Sequence, residues 1–196
     1  MLNSIAILGR PNVGKSSLFN KLTKSRNAIV SDFSGLTKDR NFGYATFKDH
    51  QYLVIDTGGV GSEITEFSAA ITEQALIAAE DSNLILFLID ASQELTADDI
   101  DLFQSIRKMN KKFFVVLNKI DIKNRSNAKE DLLKLGCGDV LEISAEHSQG
   151  IKELQTYISK QFIEPNSSDS EDLQGTKIAV IGRPNAGKST FINQFT

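Results

Sequence analysis

Short apolar runs alternate with segments of helical periodicity along the first 161 residues of the chain. The runs have the length and composition of buried strands and cover residues 4–8, 53–56, 84–90, 113–118 and 140–143, with an edge strand at 44–47 that would pair with 51–55. Helical segments lie between them, at residues 15–24, 66–81, 97–108, 128–135 and 151–161. Such alternation is typical of a mainly parallel sheet with right-handed crossovers and helices on both faces. The pattern therefore predicts an α/β domain with six strands, in which ligands bind at the carboxyl ends of the strands.

The opening segment of the chain is repeated near its other end. Residues 5–23 read IAILGRPNVGKSSLFNKLT and residues 178–196 read IAVIGRPNAGKSTFINQFT, with 11 of 19 positions identical at a constant offset of 173 residues. Agreement over the whole GRPNxGKS string excludes chance similarity between two strand–helix turns. The sequence therefore predicts one complete unit followed by the start of a second.

An acidic segment separates the two units. It reads FIEPNSSDSEDLQG from Phe162 to Gly175, with four acidic residues and no basic one. Because such a composition buries little apolar surface and repels itself, it is typical of a solvated linker. We therefore predict a first domain at residues 1–162, an acidic linker at 163–175 and an incomplete start of a second domain at 176–196.

Composition narrows the class of protein. With 22 Lys and Arg residues against 25 Asp and Glu residues, the net charge of −3 lacks the basic excess of a dedicated nucleic-acid-binding protein. One Cys cannot form an intrachain disulfide, and one Cys with two His residues is too few for a zinc site of about four ligands. No apolar run approaches the roughly 18 residues of a membrane span. These features predict a soluble intracellular protein without a membrane partner.

The repeated string carries candidate phosphate-binding chemistry. Gly9 to Ser16 fit the pattern GxxxxGK[ST], directly after a predicted strand and at the start of a predicted helix. The glycines, Gly9 and Gly14, permit a loop whose N–H groups turn inward, and the helix N-terminus adds positive potential for phosphate. Lys15 would reach the β- and γ-phosphates, and the Ser16 hydroxyl would bind Mg²⁺. By itself this phosphate loop predicts a nucleoside triphosphate site and leaves a kinase, an ATPase and a GTPase open.

Two further segments are placed to contact the same phosphates. The segment DTGG ends a strand, where the Asp56 carboxylate can hold Mg²⁺ through water and the Gly59 N–H can approach a γ-phosphate. Thr37 lies in a polar loop between the first helix and the second strand. Its hydroxyl would bind Mg²⁺ and its N–H would bind the γ-phosphate in the triphosphate state only. These segments predict a switch that distinguishes a nucleoside triphosphate from a diphosphate.

The segment NKID at 118–121 follows another predicted strand and points to the base. The Asp121 carboxylate can accept hydrogen bonds from the N1–H and N2–H₂ groups of guanine, which adenine does not offer in that arrangement. Lys119 can lay its aliphatic stem along the base, and Asn118 can tie its loop to the phosphate loop. After the last predicted strand, a backbone N–H of Ser144 or Ala145 is placed to contact the guanine O6. The nucleotide is therefore predicted to be GTP or GDP.

These elements together resemble the translation-factor-like class of GTPases, which have a Ras-like P-loop fold. The strings GRPNVGKS, GRPNAGKS, DTGG, NKID and SGLTKDR resemble the Der (EngA) family of bacterial ribosome-assembly GTPases, over residues 2–162 and the repeated stub. The resemblance implies two GTPase domains followed by a KH-like domain, a cytoplasmic location and action on the large ribosomal subunit. It also implies GTP hydrolysis with Mg²⁺, at a nucleotide site that includes Val13 and Ser17 besides the residues above. Because most of the second domain and all of the third are absent here, ribosome binding is expected of a full-length member more than of this chain.

The position after DTGG departs from many small GTPases. It holds Val60, whereas a glutamine there orients the attacking water in those proteins. The resemblance implies that another group takes over, and that the asparagine of the phosphate loop, here Asn12, helps to bind K⁺ beside the phosphates. Val60 also keeps open an alternative, a guanine-nucleotide-binding interaction module with negligible hydrolysis. An ATP-using enzyme is a third possibility.

Other features of the sequence receive simpler interpretations. His147 is interpreted as a surface histidine and Cys137 as a structural residue, whereas Phe33 could shield the nucleotide. The second phosphate loop contains Lys188 and Ser189 but lacks the later guanine and switch elements. No stable nucleotide binding is therefore predicted there.

Overall fold

The computed structural model describes residues 2–23, 41–58, 69–122 and 126–162. The chain divides into two compact units, Met1–Glu164 and Pro165–Thr196, and all of the described residues belong to the first. The predicted linker and second domain therefore lie outside the described residues. The elements follow one another in the order β1 (Asn3–Leu8), α1 (Lys15–Thr23), β2 (Asn41–Phe47), β3 (His50–Asp56), α2 (Ala69–Glu80), β4 (Leu84–Asp90), α3 (Ala97–Lys108), β5 (Phe113–Asn118), α4 (Ala128–Lys134), β6 (Val140–Glu142) and α5 (Ile151–Phe162).

A six-stranded sheet forms the centre, in the order β2-β3-β1-β4-β5-β6. β1 runs parallel to both β3 and β4, and β5 runs parallel to both β4 and β6. Among these described strands only β2 is antiparallel, and it pairs with β3 at one edge. The predicted α/β class and the mainly parallel six-stranded sheet are thus confirmed.

The hairpin between β2 and β3 extends further than the sequence predicted, since β2 begins three residues before its predicted strand at 44–47 and β3 covers residues 50–56 where pairing was predicted over 51–55. The pair closes through Lys48 and Asp49, which have φ of 50° and 64°. Positive φ at both central residues gives a two-residue turn that matches the twist of the strands. The usual signal for such a turn is Asn-Gly or Asp-Gly, so the sequence Lys-Asp did not reveal how tightly the strands connect.

β4 shows how the strand pattern divides the core between the two faces of the sheet. All seven of its residues are buried. Leu84, Leu86 and Leu88 pack with residues of α1 and α5, whereas Ile85, Phe87 and Ile89 pack with residues of α3. Successive side chains of a strand point to opposite faces, so a continuous apolar run is what a central strand covered on both faces requires.

Helix α3 begins with a side-chain cap. The Thr96 side chain accepts a hydrogen bond from the Asp99 N–H, and the Asp99 carboxylate accepts one from the Thr96 N–H, which together form a capping box. The helix occupies the residues that the sequence predicted. Across the described part of the chain, no helix is long and apolar enough to cross a membrane.

Candidate functional site

Four strands end at one edge of the sheet, and three of them, β1, β3 and β5, bring predicted site residues there. Gly9 follows β1, Asp56 ends β3, Asp90 ends β4 and Asn118 ends β5. Since these four strands run parallel, their carboxyl ends lie side by side. The carboxyl edge of an open α/β sheet is the usual place for a ligand.

Two glycines allow the phosphate loop between β1 and α1 to fold closely against its neighbours. Gly9 has a φ of 153° and Gly14 a φ of 99°. A Cβ at Gly9 would run into the carbonyl oxygen of Leu88, and a Cβ at Gly14 would run into the side-chain amide of Asn118. Both the backbone conformation and the space available therefore require glycine here.

Lys15, the first residue of α1, is buried beneath the phosphate loop. Its Nζ donates hydrogen bonds to the carbonyl oxygens of Gly9, at 2.9 Å, and Arg10, at 2.7 Å. Burial lowers the pKa of Lys15 from 10.5 to about 8, although the nearby Asp56 carboxylate acts in the opposite direction. The side chain is thus a preset cation at neutral pH, and the two carbonyls account for two of its three N–H groups.

Ser16 and Asp56, the two described candidates for Mg²⁺, are in direct contact. The Ser16 Oγ donates a hydrogen bond to Asp56 Oδ2 at 2.8 Å, and the Gly58 N–H donates one to Asp56 Oδ1 at 3.0 Å. Asp56 is completely buried. A hydroxyl and a buried carboxylate side by side are hard oxygen ligands of the kind that Mg²⁺ prefers, so these residues fit the ion.

Gly58 is a site residue that the sequence analysis missed. A Cβ at this position would lie 2.5 Å from Cε of Lys15, so any side chain would displace the lysine. Gly59 was the glycine predicted from the DTGG segment, and the glycine beside it is the signal that could have identified Gly58. Gly59 lies outside the described residues.

Asn118 connects the phosphate loop with the loop after β6. Its Nδ2 donates a hydrogen bond to the Val13 carbonyl oxygen at 2.9 Å, and its Oδ1 accepts one from the Ala145 N–H at 2.9 Å. The side chain is buried. The hydrogen bond that the sequence analysis expected between this asparagine and the phosphate loop is present.

The backbone N–H groups of Ser144 and Ala145 already have partners within the chain. Ser144 donates to the Gln149 carbonyl oxygen at 3.0 Å, and Ala145 donates to Asn118. A guanine O6 at this place would share or replace the Asn118 interaction. The expected contact with O6 therefore stays a prediction, and it requires the Ala145 N–H to share or give up its hydrogen bond to Asn118.

Lys119 contacts an acidic residue that the sequence analysis did not select. Its Nζ lies 2.6 Å from Oδ2 of Asp90, whose side chain is only 3% exposed. Burial alone would raise the pKa of Asp90, but hydrogen bonds from Lys119 and Ser92 hold it below the usual value. The lysine stem predicted to lie along the base is thus held beside the end of β4. The two residues are 29 positions apart in the sequence, and only the order of the strands brings them together.

Asp121 also has a close basic neighbour. Nε2 of His147 lies 3.6 Å from Oδ2 of Asp121, so this exposed histidine, interpreted from sequence as an ordinary surface residue, faces the candidate guanine carboxylate. A hydrogen bond from Ser144 holds the pKa of Asp121 below its usual value, and the charges of His147 and Lys119 act in the same direction. Asp121 is therefore an anion at neutral pH and can only accept hydrogen bonds.

The remaining predicted residues fall into two groups. Asn12 has a φ of 64° and is exposed, and Ser17 is exposed in the first turn of α1. Outside the described residues lie Thr37, Val60, Phe33, Lys188 and Ser189.

The sequence and the fold both match known proteins. A family model described as 50S ribosome-binding GTPase matches residues 4–119 and residues 177–196. GTPase Der from Saccharophagus degradans is 43% identical over 195 residues, a match that covers 99% of this chain and 41% of that protein. The chain thus spans less than half the length of this curated relative, which it resembles as the sequence analysis expected.

Two solved structures of Era have the same fold. The Aquifex aeolicus structure, bound to GDP and AlF4⁻, gives a TM-score of 0.65 with 30% sequence identity, and the match covers 88% of this chain and 60% of that one. A complex of Era with MgGDPNP and nucleotides 1506–1542 of 16S ribosomal RNA gives a TM-score of 0.62 with 30% identity, and the same coverage. Both are GTPase folds with nucleotide in place, and they agree with the predicted P-loop fold.

Proposed function

Because the chain belongs to the family of 50S ribosome-binding GTPases, we propose that it binds a guanine nucleotide with Mg²⁺ at the carboxyl edge of the sheet described above and hydrolyses GTP to GDP. One observation carries the proposal. A single buried side chain, Asn118, links the phosphate loop at Val13 with the loop at Ala145, next to the guanine carboxylate Asp121. This side chain thereby links the two halves of the proposed guanine nucleotide site to one another.

The phosphate end of the site supplies positive charge where a nucleotide carries negative charge. The phosphate loop precedes helix α1, whose N-terminal N–H groups face an anion favourably. Lys15 would donate its remaining N–H to the β- and γ-phosphates, while Ser16 and Asp56 hold Mg²⁺. Mg²⁺, when bound, neutralises charge on the phosphate oxygens. The expected contributions of Thr37 and Gly59 to the same end belong to this proposal.

The base end of the site selects guanine by hydrogen bonding. Asp121 would accept from N1–H and from the exocyclic N2–H₂, and an adenine would leave this carboxylate without those donors. Sites that depend on such pairing reject the wrong ligand by roughly 10⁴- to 10⁵-fold. Lys119 and the Ala145 N–H would contact the same base, which accounts for the convergence of the loops after β5 and β6.

We expect nucleotide affinity to fall above pH of about 8. Burial lowers the pKa of Lys15 to about 8, and the phosphate oxygens of a bound nucleotide would favour its charged form. Below that pH the ammonium is already present, so binding takes up no proton. Above it, binding must protonate Lys15, and the apparent affinity for GDP falls by up to about tenfold per pH unit.

Calorimetric titration with GDP measures this proton uptake when it is repeated in two buffers of different ionisation enthalpy. The titrations would be made at neutral pH and at about one pH unit above the pKa of Lys15. GMP is the control, because it keeps the base and lacks the phosphate that Lys15 would reach. Equal proton uptake for GDP and GMP at the higher pH would contradict the placement of Lys15 on the outer phosphates.

Potassium is proposed to assist hydrolysis through Asn12. The residue stands exposed in the phosphate loop with a φ of 64°, and Val60 supplies no group that could orient water. GTP turnover is therefore expected to be faster in KCl than in NaCl at equal ionic strength. Asn12→Gly, which keeps the positive φ accessible and removes the amide oxygen, should abolish the difference. Identical rates in the two salts for the unmodified chain would contradict the potassium role.

Association with the large ribosomal subunit is proposed for the longer members of the family and is tested on this chain directly. The chain and a full-length relative would be sedimented with purified 50S subunits in the presence of GDP or a non-hydrolysable GTP analogue. We expect nucleotide-dependent co-sedimentation of the full-length relative, and a weaker association of the chain, which spans 41% of such a protein. Absence of co-sedimentation for both would contradict the proposed partner.

A second function, a binding module without turnover, is favoured by Val60. A hydrophobic residue at that position cannot orient a water molecule, so the chain could hold GTP and use its conformation as the output. Binding is the same in both proposals. They differ only in whether phosphate is released from bound GTP.

A further inference from the structure

An ion pair joins the phosphate loop to helix α3. The Nε of Arg10 donates a hydrogen bond to Oδ1 of Asp99 at 2.8 Å, and the two side chains are 18% and 1% exposed. The residues are 89 positions apart. Arg10 follows the loop glycine Gly9, and Asp99 lies in the first turn of α3. The interaction thus anchors the beginning of the loop to a different layer of the fold.

The Asp99 carboxylate divides its two oxygens between the helix and the loop. Oδ2 accepts hydrogen bonds from the N–H of Thr96, at 3.0 Å, and from its hydroxyl, at 2.9 Å. Oδ1 accepts from Arg10. Capping α3 requires only the hydrogen bonds to Oδ2, so Oδ1 is available to hold the loop through Arg10. Because the capping box fixes the carboxylate, the arginine is held by a rigid partner.

The other side of Arg10 leads to the phosphate-binding lysine. Its backbone carbonyl oxygen accepts a hydrogen bond from Lys15 Nζ at 2.7 Å. One residue therefore connects Asp99 through its side chain with Lys15 through its backbone. The next two residues, Pro11 and Asn12, are exposed. Arg10 therefore anchors the loop immediately before its exposed part.

The same part of the chain also supports the guanine loop. Asp90, at the end of β4, pairs with Lys119, and the Ala91 N–H donates to the Asn118 carbonyl oxygen at 2.8 Å. The segment from Asp90 to Asp99 thus contacts both halves of the site. These contacts are not needed to link β4 to α3, so this segment also holds the loops of the site in place.

We propose that Asp99 is a positioning residue for the phosphate loop, acting through Arg10 to hold the loop carbonyls and Lys15 in the conformation that receives the β-phosphate. This role rests on the proposed function, since it concerns how the same site binds its nucleotide. Asp99 itself would not contact the nucleotide.

The sign of a charge substitution separates positioning from simple electrostatics. Asp99→Asn removes a negative charge near the phosphates, which by charge alone would strengthen nucleotide binding. If the carboxylate positions the loop, the same variant weakens it. We expect the Kd for GDP to rise roughly 3- to 30-fold, the range over which residues that act through a network alter binding. The Kd for GMP, which lacks the β-phosphate, should change much less.

Further variants complete the test. Asp98→Asn removes the same charge from an exposed residue in the same helical turn, and it should leave the Kd for GDP unchanged or slightly lower. Arg10→Gln should raise the Kd for GDP as Asp99→Asn does. The Kd of the double variant should not exceed the larger of the two single-variant values. Arg10→Lys keeps the positive charge near the phosphates but has a carbon where Nε donates to Asp99, so a raised Kd for GDP in this variant tests the anchor even if Asp99→Asn does not fold.

Nucleotide titrations with a fluorescent GDP analogue, displaced by GDP or GMP, give these constants. An unchanged or lower Kd for GDP in folded Asp99→Asn overturns the role, as does an effect of Arg10→Gln that adds in full to that of Asp99→Asn. An unmodified chain that fails to bind GDP would overturn the proposed function together with this role. If the unmodified chain binds GDP and the variants bind it with the same Kd, only the role of Asp99 is overturned.

Discussion

Replacing Asp121 with asparagine is expected to transfer the base preference of the site from guanine to xanthine. The carboxylate of Asp121 can accept hydrogen bonds from both N1–H and N2–H₂ of guanine. The amide of the Asp121→Asn variant has only one oxygen acceptor, and its NH₂ group would face a guanine donor instead. Xanthine has a carbonyl oxygen in place of the exocyclic amine and fits that donor. We expect GTP affinity to fall by roughly 10³-fold or more and affinity for xanthosine triphosphate to rise above it.

Direct calorimetric titration of the Asp121→Asn variant with GTP, ATP and xanthosine triphosphate measures this preference. Asp139→Asn is the matched control, because it changes the same charge on an exposed residue just before β6, at the end of the strands that lies away from the site. A variant at Asp121 that still preferred GTP over xanthosine triphosphate would show that another residue reads the base. Equal binding of ATP and GTP by the unmodified chain would favour the ATP-using enzyme instead.

Replacing Lys15 with alanine is expected to abolish tight nucleotide binding while the fold persists. The buried ammonium is the main positive charge described beneath the phosphate loop, and removal of a charged donor at such a site costs roughly a hundredfold or more. The variant leaves the carbonyl oxygens of Gly9 and Arg10 facing the space that Nζ occupied, which water can fill. Secondary structure measured by circular dichroism should therefore stay unchanged.

Lys21→Ala is the control for that experiment. It removes the same charge from the last turn of the same helix, α1, and should bind GDP as the unmodified chain does. The Lys15→Ala variant also tests the second phosphate loop at residues 182–189, where no stable nucleotide binding is predicted. Tight GTP binding by Lys15→Ala would contradict either the role of Lys15 or that prediction, and the additional variant Lys188→Ala separates the two.

Most of the fold could be predicted from the sequence because its elements are strongly periodic. The run LILFLI is apolar throughout, and it lies in β4, which is buried on both faces. The helical period between Ala97 and Lys108 coincides with α3. The hairpin turn at Lys48 and Asp49 was less visible, since Lys-Asp is not a usual pair for positive φ at both positions. The two strands of that hairpin were accordingly predicted too short.

The motif residues of the site could be placed from sequence, but their partners could not. Asn118 and the phosphate loop follow recognisable strings at strand ends, so their meeting followed from the parallel sheet. The pairs Arg10 with Asp99 and Lys119 with Asp90 join residues that are 89 and 29 positions apart. Nothing in the local sequence indicates such pairs, because they depend on which loops the strand order places side by side.

The central claim, that this chain hydrolyses GTP, is tested most directly by single-turnover hydrolysis. The chain, in excess over radiolabelled GTP, would be incubated with Mg²⁺ and KCl, and GDP and phosphate would be measured over time. We predict complete conversion of bound GTP to GDP and phosphate, and no conversion by Lys15→Ala. Tight binding of GTP without phosphate release, in KCl and with 50S subunits present, would contradict hydrolysis and favour the binding module.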